Sequence, residues 1–134
     1  MNIKPKVGVV SCSGECCSLG TLSRVAVRLA IEEKYDQTVT ICLPLFLAGE
    51  AGEHGFAKEH PTISVDGCGK LCAQKAITKY SRKPEESVNV EEMLNEWGEN
   101  APENRRVLDE HGVILAERLA KHLSERVKAI QEAH

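Results

Sequence analysis

Apolar and polar positions divide this chain into short unbroken apolar runs and longer stretches of helical spacing. Lys6-Val7-Gly8-Val9-Val10-Ser11 is a β-branched run of strand length, suited to a strand buried on both faces. Gly14 and Gly20 bracket a loop from Cys12 to Gly20. Leu22, Val25, Ala26, Leu29 and Ala30 then recur at helical spacing and predict a helix from about Thr21 to about Lys34. Thr38 to Leu43 predicts a second strand, stopped by Pro44. Gly49, Gly52 and Gly55 weaken any helix over 44–60, so that stretch is expected to be irregular or only briefly helical. Pro61 to Asp66 predicts a third strand, Lys70 to about Ser81 a second clear helix, and Ser87 to Val90 a short fourth strand. Val90 to Trp97 and about Glu103 to Ala133 read as C-terminal helices. The long one repeats Val107, Leu108, Leu115, Leu119, Leu123, Val127 and Ile130, and Gly112 interrupts the repeat, where a break is expected.

Strands alternating with helices predict right-handed crossovers and a parallel sheet covered on both faces. The expected fold is α/β: a small three-layer, Rossmann/flavodoxin-like arrangement with a three- to four-stranded parallel sheet and a long C-terminal helical segment. A length of 134 residues fits a single domain, 1–134, with a core over about 6–90 and C-terminal helices over about 91–134. The apolar face of the last helix is expected to pack on the sheet; its other use would be a homodimer. There is no internal repeat, low-complexity tract or linker.

Composition narrows the function. With five aromatic residues the core must be mostly aliphatic. A formal net charge of −3 leaves no basic stripe and argues against a nucleic-acid partner. No run approaches the ~18 apolar residues of a membrane span. The start, Met1-Asn2-Ile3-Lys4-Pro5-Lys6, lacks the apolar core of a signal peptide, which predicts a cytoplasmic protein.

Cysteine changes the picture most. Six cysteines, Cys12, Cys16, Cys17, Cys42, Cys68 and Cys72, all fall in the first 72 residues. In a cytoplasmic chain that density points to metal binding or thiol chemistry rather than disulfides. The strand reading puts Cys12 after the first strand, Cys42 at the end of the second and Cys68 after the third. In a parallel sheet these positions share the carboxyl edge, where open α/β folds place their ligands. Cys72 follows Cys68 by four positions, which on a helix is the same face. Four thiolates would satisfy a tetrahedral Zn²⁺ or an iron–sulfur cluster, and spacing does not choose between them. Taken alone, Cys42 also reads as a small buried hydrophobe.

The other polar candidates are weaker. The vicinal pair Cys16-Cys17 has three open readings: an alternate ligand, a redox couple and incidental loop residues. His54 and His60, in the stretch after Cys42, are within reach of the site; like His111, His122 and His134 they read mainly as surface residues. Asp66 suits a helix cap or a hydrogen bond to a metal ligand, and Lys70 would offset thiolate charge. The loop Gly14 to Thr21 sits where a phosphate loop would, but no lysine precedes Thr21. A cysteine after the first strand is also the nucleophile position of low-molecular-weight tyrosine phosphatases and arsenate reductases. Those need an arginine six residues on, and here that residue is Ser18, with Arg24 the nearest arginine. Amides at a helix N-terminus would still leave a backbone-lined anion pocket.

Ser11-Cys12-Ser13-Gly14, the segment Thr21 to Leu29, Cys42-Leu43 and above all Asp66-Gly67-Cys68-Gly69-Lys70-Leu71-Cys72-Ala73 resemble the DGC-domain family, named for its Asp-Gly-Cys motif. The motifs extend over residues 6 to about 90. The resemblance implies four shared cysteines, thought to bind zinc, at Cys12, Cys42, Cys68 and Cys72, the same four that the topology selects. It leaves the extra cysteines at Cys16-Cys17 and the helices beyond about 90 unaccounted for. The functional expectation is a zinc-binding protein holding Zn²⁺ through four thiolates, with a structural or a metal- or redox-sensing role. The alternatives are a thiol-dependent enzyme, reductase or phosphatase-like, with an anion-binding loop after the first strand, and an iron–sulfur module. No catalytic residue is assigned.

Overall fold

The computed structural model describes residues 4–134; the N-terminal stretch Met1 to Ile3 read above lies outside them. Strand β1 (Val7–Ser11) leads into helix α1 (Ser18–Glu33). A 3₁₀ turn (Tyr35–Gln37) then enters a two-residue strand, β2 (Thr38–Val39). Three short helices follow, α2 (Leu43–Ala48), α3 (Ala51–His54) and α4 (Phe56–Glu59), as the glycines of that stretch led one to expect. The chain continues through β3 (Thr62–Asp66), α5 (Cys72–Tyr80), β4 (Glu86–Asn89), α6 (Val90–Trp97) and α7 (Glu110–Ala133).

The sheet is four-stranded and wholly parallel, in the order β2-β1-β3-β4. The chain winds outward from β1 to β2, then crosses back to β3 on the other side of β1. The order therefore reverses between β1 and β3, and the crevice beyond their carboxyl ends is the topological switch point where such folds bind ligands.

Alternation along the strands splits the core into two layers. Val7 and Val9 of β1, with Ile63 and Val65 of β3, face α1, α6 and α7 and pack on Leu22, Ala26, Leu94, Leu119 and Leu123. Val10 points to the other face, against Phe46, Ala73 and Ile77 of α2 and α5. Strand β1 reads as a near-continuous apolar run because each side of the sheet is covered, whereas β3 alternates Ile63 and Val65 with Thr62, Ser64 and Asp66.

Four boundaries differ from the sequence reading by two residues or more. The second strand ends at Val39 rather than Leu43, because it pairs with β1 only over Val7↔Thr38 and Gly8↔Val39. Cys42 therefore leaves the sheet and stands at the N-cap of α2, with Pro44 inside that helix's first turn. Helix α1 starts at Ser18 and takes Gly20 into its first turn. Helix α5 starts at Cys72, not Lys70, because Leu71 adopts a left-handed conformation with φ of 54°. Finally, α7 starts at Glu110 rather than near Glu103. The Asp109 side chain caps it by accepting from the Gly112 amide at 2.8 Å, so Gly112 belongs to the first turn and marks no break.

The apolar stripe of α7 packs mainly along α1 and meets β1 much less, so it covers a helix more than the sheet. Val113 and Ile114 remain exposed on it. No helix among the described residues is long and apolar enough to cross a membrane.

Candidate metal centre

The carboxyl ends of β1 and β3 are held together by close backbone packing. The Cys12 amide donates to the Val65 carbonyl at 2.9 Å, extending the ladder one residue past β1. Gly14, with φ of +81°, turns the chain back against the first turn of α1, and a β-carbon there would lie 2.6 Å from the Gly20 carbonyl oxygen. The turn after β3 presses on the same place: a β-carbon on Gly67 would lie 2.5 Å from the Gly20 amide nitrogen. Only glycine permits that approach. The Thr21 hydroxyl, in that same turn of α1, donates to the Arg105 carbonyl and ties down the segment between α6 and α7.

Asp66, the last residue of β3, is buried, and its carboxylate caps α5 from across the turn. It accepts from the amides of Ala73 at 2.7 Å and Gln74 at 3.1 Å. Burial nevertheless pushes its carboxyl above the usual range; these two hydrogen bonds and Lys75 pull the other way. The helix-cap reading of Asp66 holds, although Leu71 is the residue at the N-cap itself. Asn89, at the end of β4, secures the outer side. Its amide donates to the Cys68 carbonyl at 3.1 Å while its oxygen caps α6 by accepting from Glu92.

Cys12 occupies the switch point and is half-buried. Its sulfur lies 3.3 Å from the Ser23 hydroxyl, whose oxygen is 2.7 Å from the Gly20 carbonyl. Ser23 has one proton to give, to that carbonyl or to the Cys12 sulfur, and it favours the thiolate only when it points to the sulfur. Burial pushes the Cys12 thiol up from its ordinary range, and the charges of Asp66 and Cys72 add to that. The Ser23 and Gly67 contacts oppose it. A thiol held protonated in this way is a poor nucleophile at neutral pH.

The remaining cysteines sit around this point. Cys42 is exposed and lines one cleft with Cys12. Cys68, half-buried, follows Gly67 in the turn, and exposed Cys72 opens α5. Cys68 therefore precedes the helix, and the two do not share a helical face as their spacing suggested. Cys16 is exposed and half-buried Cys17 is the N-cap of α1, with no side-chain hydrogen bond to the helix. All six thiols are free. Among the described residues no three histidine, cysteine, aspartate or glutamate side chains are grouped so as to hold a metal ion.

The histidines take other places. His54 stacks on Tyr80 with centroids 5.0 Å apart, and His60 tilts against Phe56. His111 and His134 lie 3.4 and 2.9 Å from Glu99 and Glu85. What the sequence reading missed is the arginine side of the cleft shared by Cys12 and Cys42: Arg24 and Arg28 line it from α1. Their spacing with Val27 and Ile31 on one stripe of α1 was the available signal.

Fold and site together define a small doubly wound α/β domain with free thiols at and around its switch point. The DGC domain profile matches residues 8–118, and the chain belongs to this family. The match runs past residue 90 through α6 and ends within α7, so α6 and the start of α7 lie inside the matched domain. Neither the curated proteins nor the solved structures contain a match to this chain. Six cysteines in a chain of this family fit a metal-binding role.

Proposed function

We propose that this protein binds Zn²⁺ through Cys12, Cys42, Cys68 and Cys72, and that the metal serves a structural or a metal- or redox-sensing role in the cytoplasm. The observation that supports the reading is the position of Cys12: at the switch point, close enough to Cys72 for its charge to be felt, and in one cleft with Cys42. Four free thiols as a donor set suit zinc, and a closed four-thiolate site is structural rather than catalytic. When bound, the metal would deprotonate its ligands and hold the turns after β1 and β3 and the N-terminus of α2 to one point.

Zinc held by all four thiolates would have to bring exposed Cys42 and Cys72 together with half-buried Cys12 and Cys68. That coupling is what a sensor requires: a conformation that differs with and without metal. Leu71, in its left-handed conformation between Cys68 and Cys72, stores backbone strain where such a change would act. The raised Cys12 thiol weighs against thiol-dependent catalysis in the metal-free state.

Elemental analysis of the untagged protein tests the reading. One zinc per chain is expected, lost in Cys68→Ser and in Cys12→Ser and retained in Cys17→Ser. Brown protein containing iron, or a Cys68→Ser variant that keeps its zinc, would overturn it.

A further inference from the structure

The cleft that Cys12 and Cys42 share carries a second chemistry. Its volume is about 320 Å³, and Arg24, Val27, Arg28 and Ile31 form its α1 wall. Ile41, in the connection after β2, and Leu43, the first residue of α2, line it as well. Neither arginine belongs to an ion pair among the described residues. The Arg24 Nε is buried and has no hydrogen-bond partner there either.

That arrangement is costly as it stands. A buried donor left unsatisfied is destabilising, and more so when it is charged. The chain carries 20 acidic and 17 basic residues, so acidic partners are not scarce. Arg24 and Arg28, one turn apart, nonetheless line an apolar-walled cleft without one. Guanidinium forks match the paired oxygens of carboxylates and phosphates, and such groups are the ordinary partners of arginine in a pocket.

We propose that this cleft binds a small organic anion. Its carboxylate or phosphate group is held by Arg24 and Arg28, and its short apolar body lies against Ile31, Ile41 and Leu43. The volume is at the lower end of small-molecule pockets, which suits a compact ligand. The inference rests on the guanidinium groups rather than the thiols, so it stands or falls separately from zinc binding.

Calorimetric titration of the full chain, with and without added zinc, tests it with four probes: hexanoate, phenyl phosphate, inorganic phosphate and the neutral analogue hexanamide. Saturable binding of hexanoate or phenyl phosphate at one site per chain is expected, with hexanamide at least about tenfold weaker. Arg28→Gln, at an exposed position that the fold does not need, should weaken the organic anion about tenfold or more, in line with the loss of a charged hydrogen bond. Arg24→Gln should do the same in protein shown to be folded by its thermal melt, and Arg82→Gln should change nothing. Equal affinity for hexanamide, unchanged affinity in both cleft variants, or no saturable binding of either organic anion would overturn the proposal. Inorganic phosphate bound as tightly as phenyl phosphate would overturn the role of the apolar wall.

Discussion

Gly67 and Gly20 are in direct backbone contact, so close that a β-carbon on Gly67 would fall 2.5 Å from the Gly20 amide nitrogen. This contact joins the turn after β3 to the first turn of α1, and it gives the central glycine of the Asp-Gly-Cys motif a physical reason. Neither neighbour is a side chain able to swing away. Gly67→Ala should therefore cost about 1–3 kcal/mol or more by overpacking. Gly69→Ala, with open space around it, should stay within about 0.5 kcal/mol. Urea melts of the two variants check this, and equal midpoints would refute the contact.

The Asp66 carboxylate satisfies two amides at the start of α5, and Asp66→Ala leaves both without a partner. The expected loss is about 1–2 kcal/mol, as for other helix caps. Because burial raises the folded-state pKa of this group, its protonation adds a separate increment of stability that is fully present below the ordinary aspartate range. It is lost as pH rises through the raised value. The variant should lack that component, which paired melts across mildly acidic pH would detect.

Thiol labelling separates Cys12 from its neighbours. In metal-free protein near pH 8, iodoacetamide should modify exposed Cys16, Cys42 and Cys72 well before Cys12, whose proton burial retains. Raising the pH further should let Cys12 catch up. Peptide mapping by mass spectrometry reads the order, and early labelling of Cys12 at neutral pH would contradict the protonated state.

Zinc binding should release protons and weaken on acidification, because every thiolate ligand must first lose one. Cys12 is expected to contribute a full proton at pH 7, since its thiol is held above the ordinary range. Metal affinity measured in competition with a chelator at pH 6 and pH 8 checks the direction. Affinity that is flat across this interval would exclude a multi-thiolate site.

The long C-terminal helix is an integral part of the core. Leu119 is buried against α1 whereas Ile114 is exposed on the same helix. Leu119→Ala should cost about 2–5 kcal/mol and Ile114→Ala no more than about 0.5 kcal/mol. Sedimentation of Ile114→Glu alongside the parent chain addresses the proposed homodimer: a dimer formed through this helix would have to use the apolar surface that Val113 and Ile114 leave exposed.

Much of this architecture is legible along the chain. Apolar β-branched runs, glycine turns and helical spacing are local signals. They suffice for four parallel strands in alternation with helices, and for Cys12 and Cys68 at the carboxyl edge. The cap at Asp66 is also legible, from a short acidic side chain placed just ahead of a helix.

Other features depend on distances between segments remote in sequence, and only the tertiary structure decided them. Cys42 leaves the sheet because the edge strand finds β1 for just two residues. The helix after Cys68 starts late because Leu71 turns left-handed, a choice that its neighbours Lys70 and Cys72 do not encode. Arg24 and Arg28 come into one cleft with Cys12 and Cys42 only because α1 is set beside the connection after β2. Residue types fixed which chemistry this chain can carry, since thiols and guanidinium groups keep their nature wherever they stand. Packing decided which of them meet, because burial, backbone contact and a shared cleft exist only once the sheet has closed its switch point.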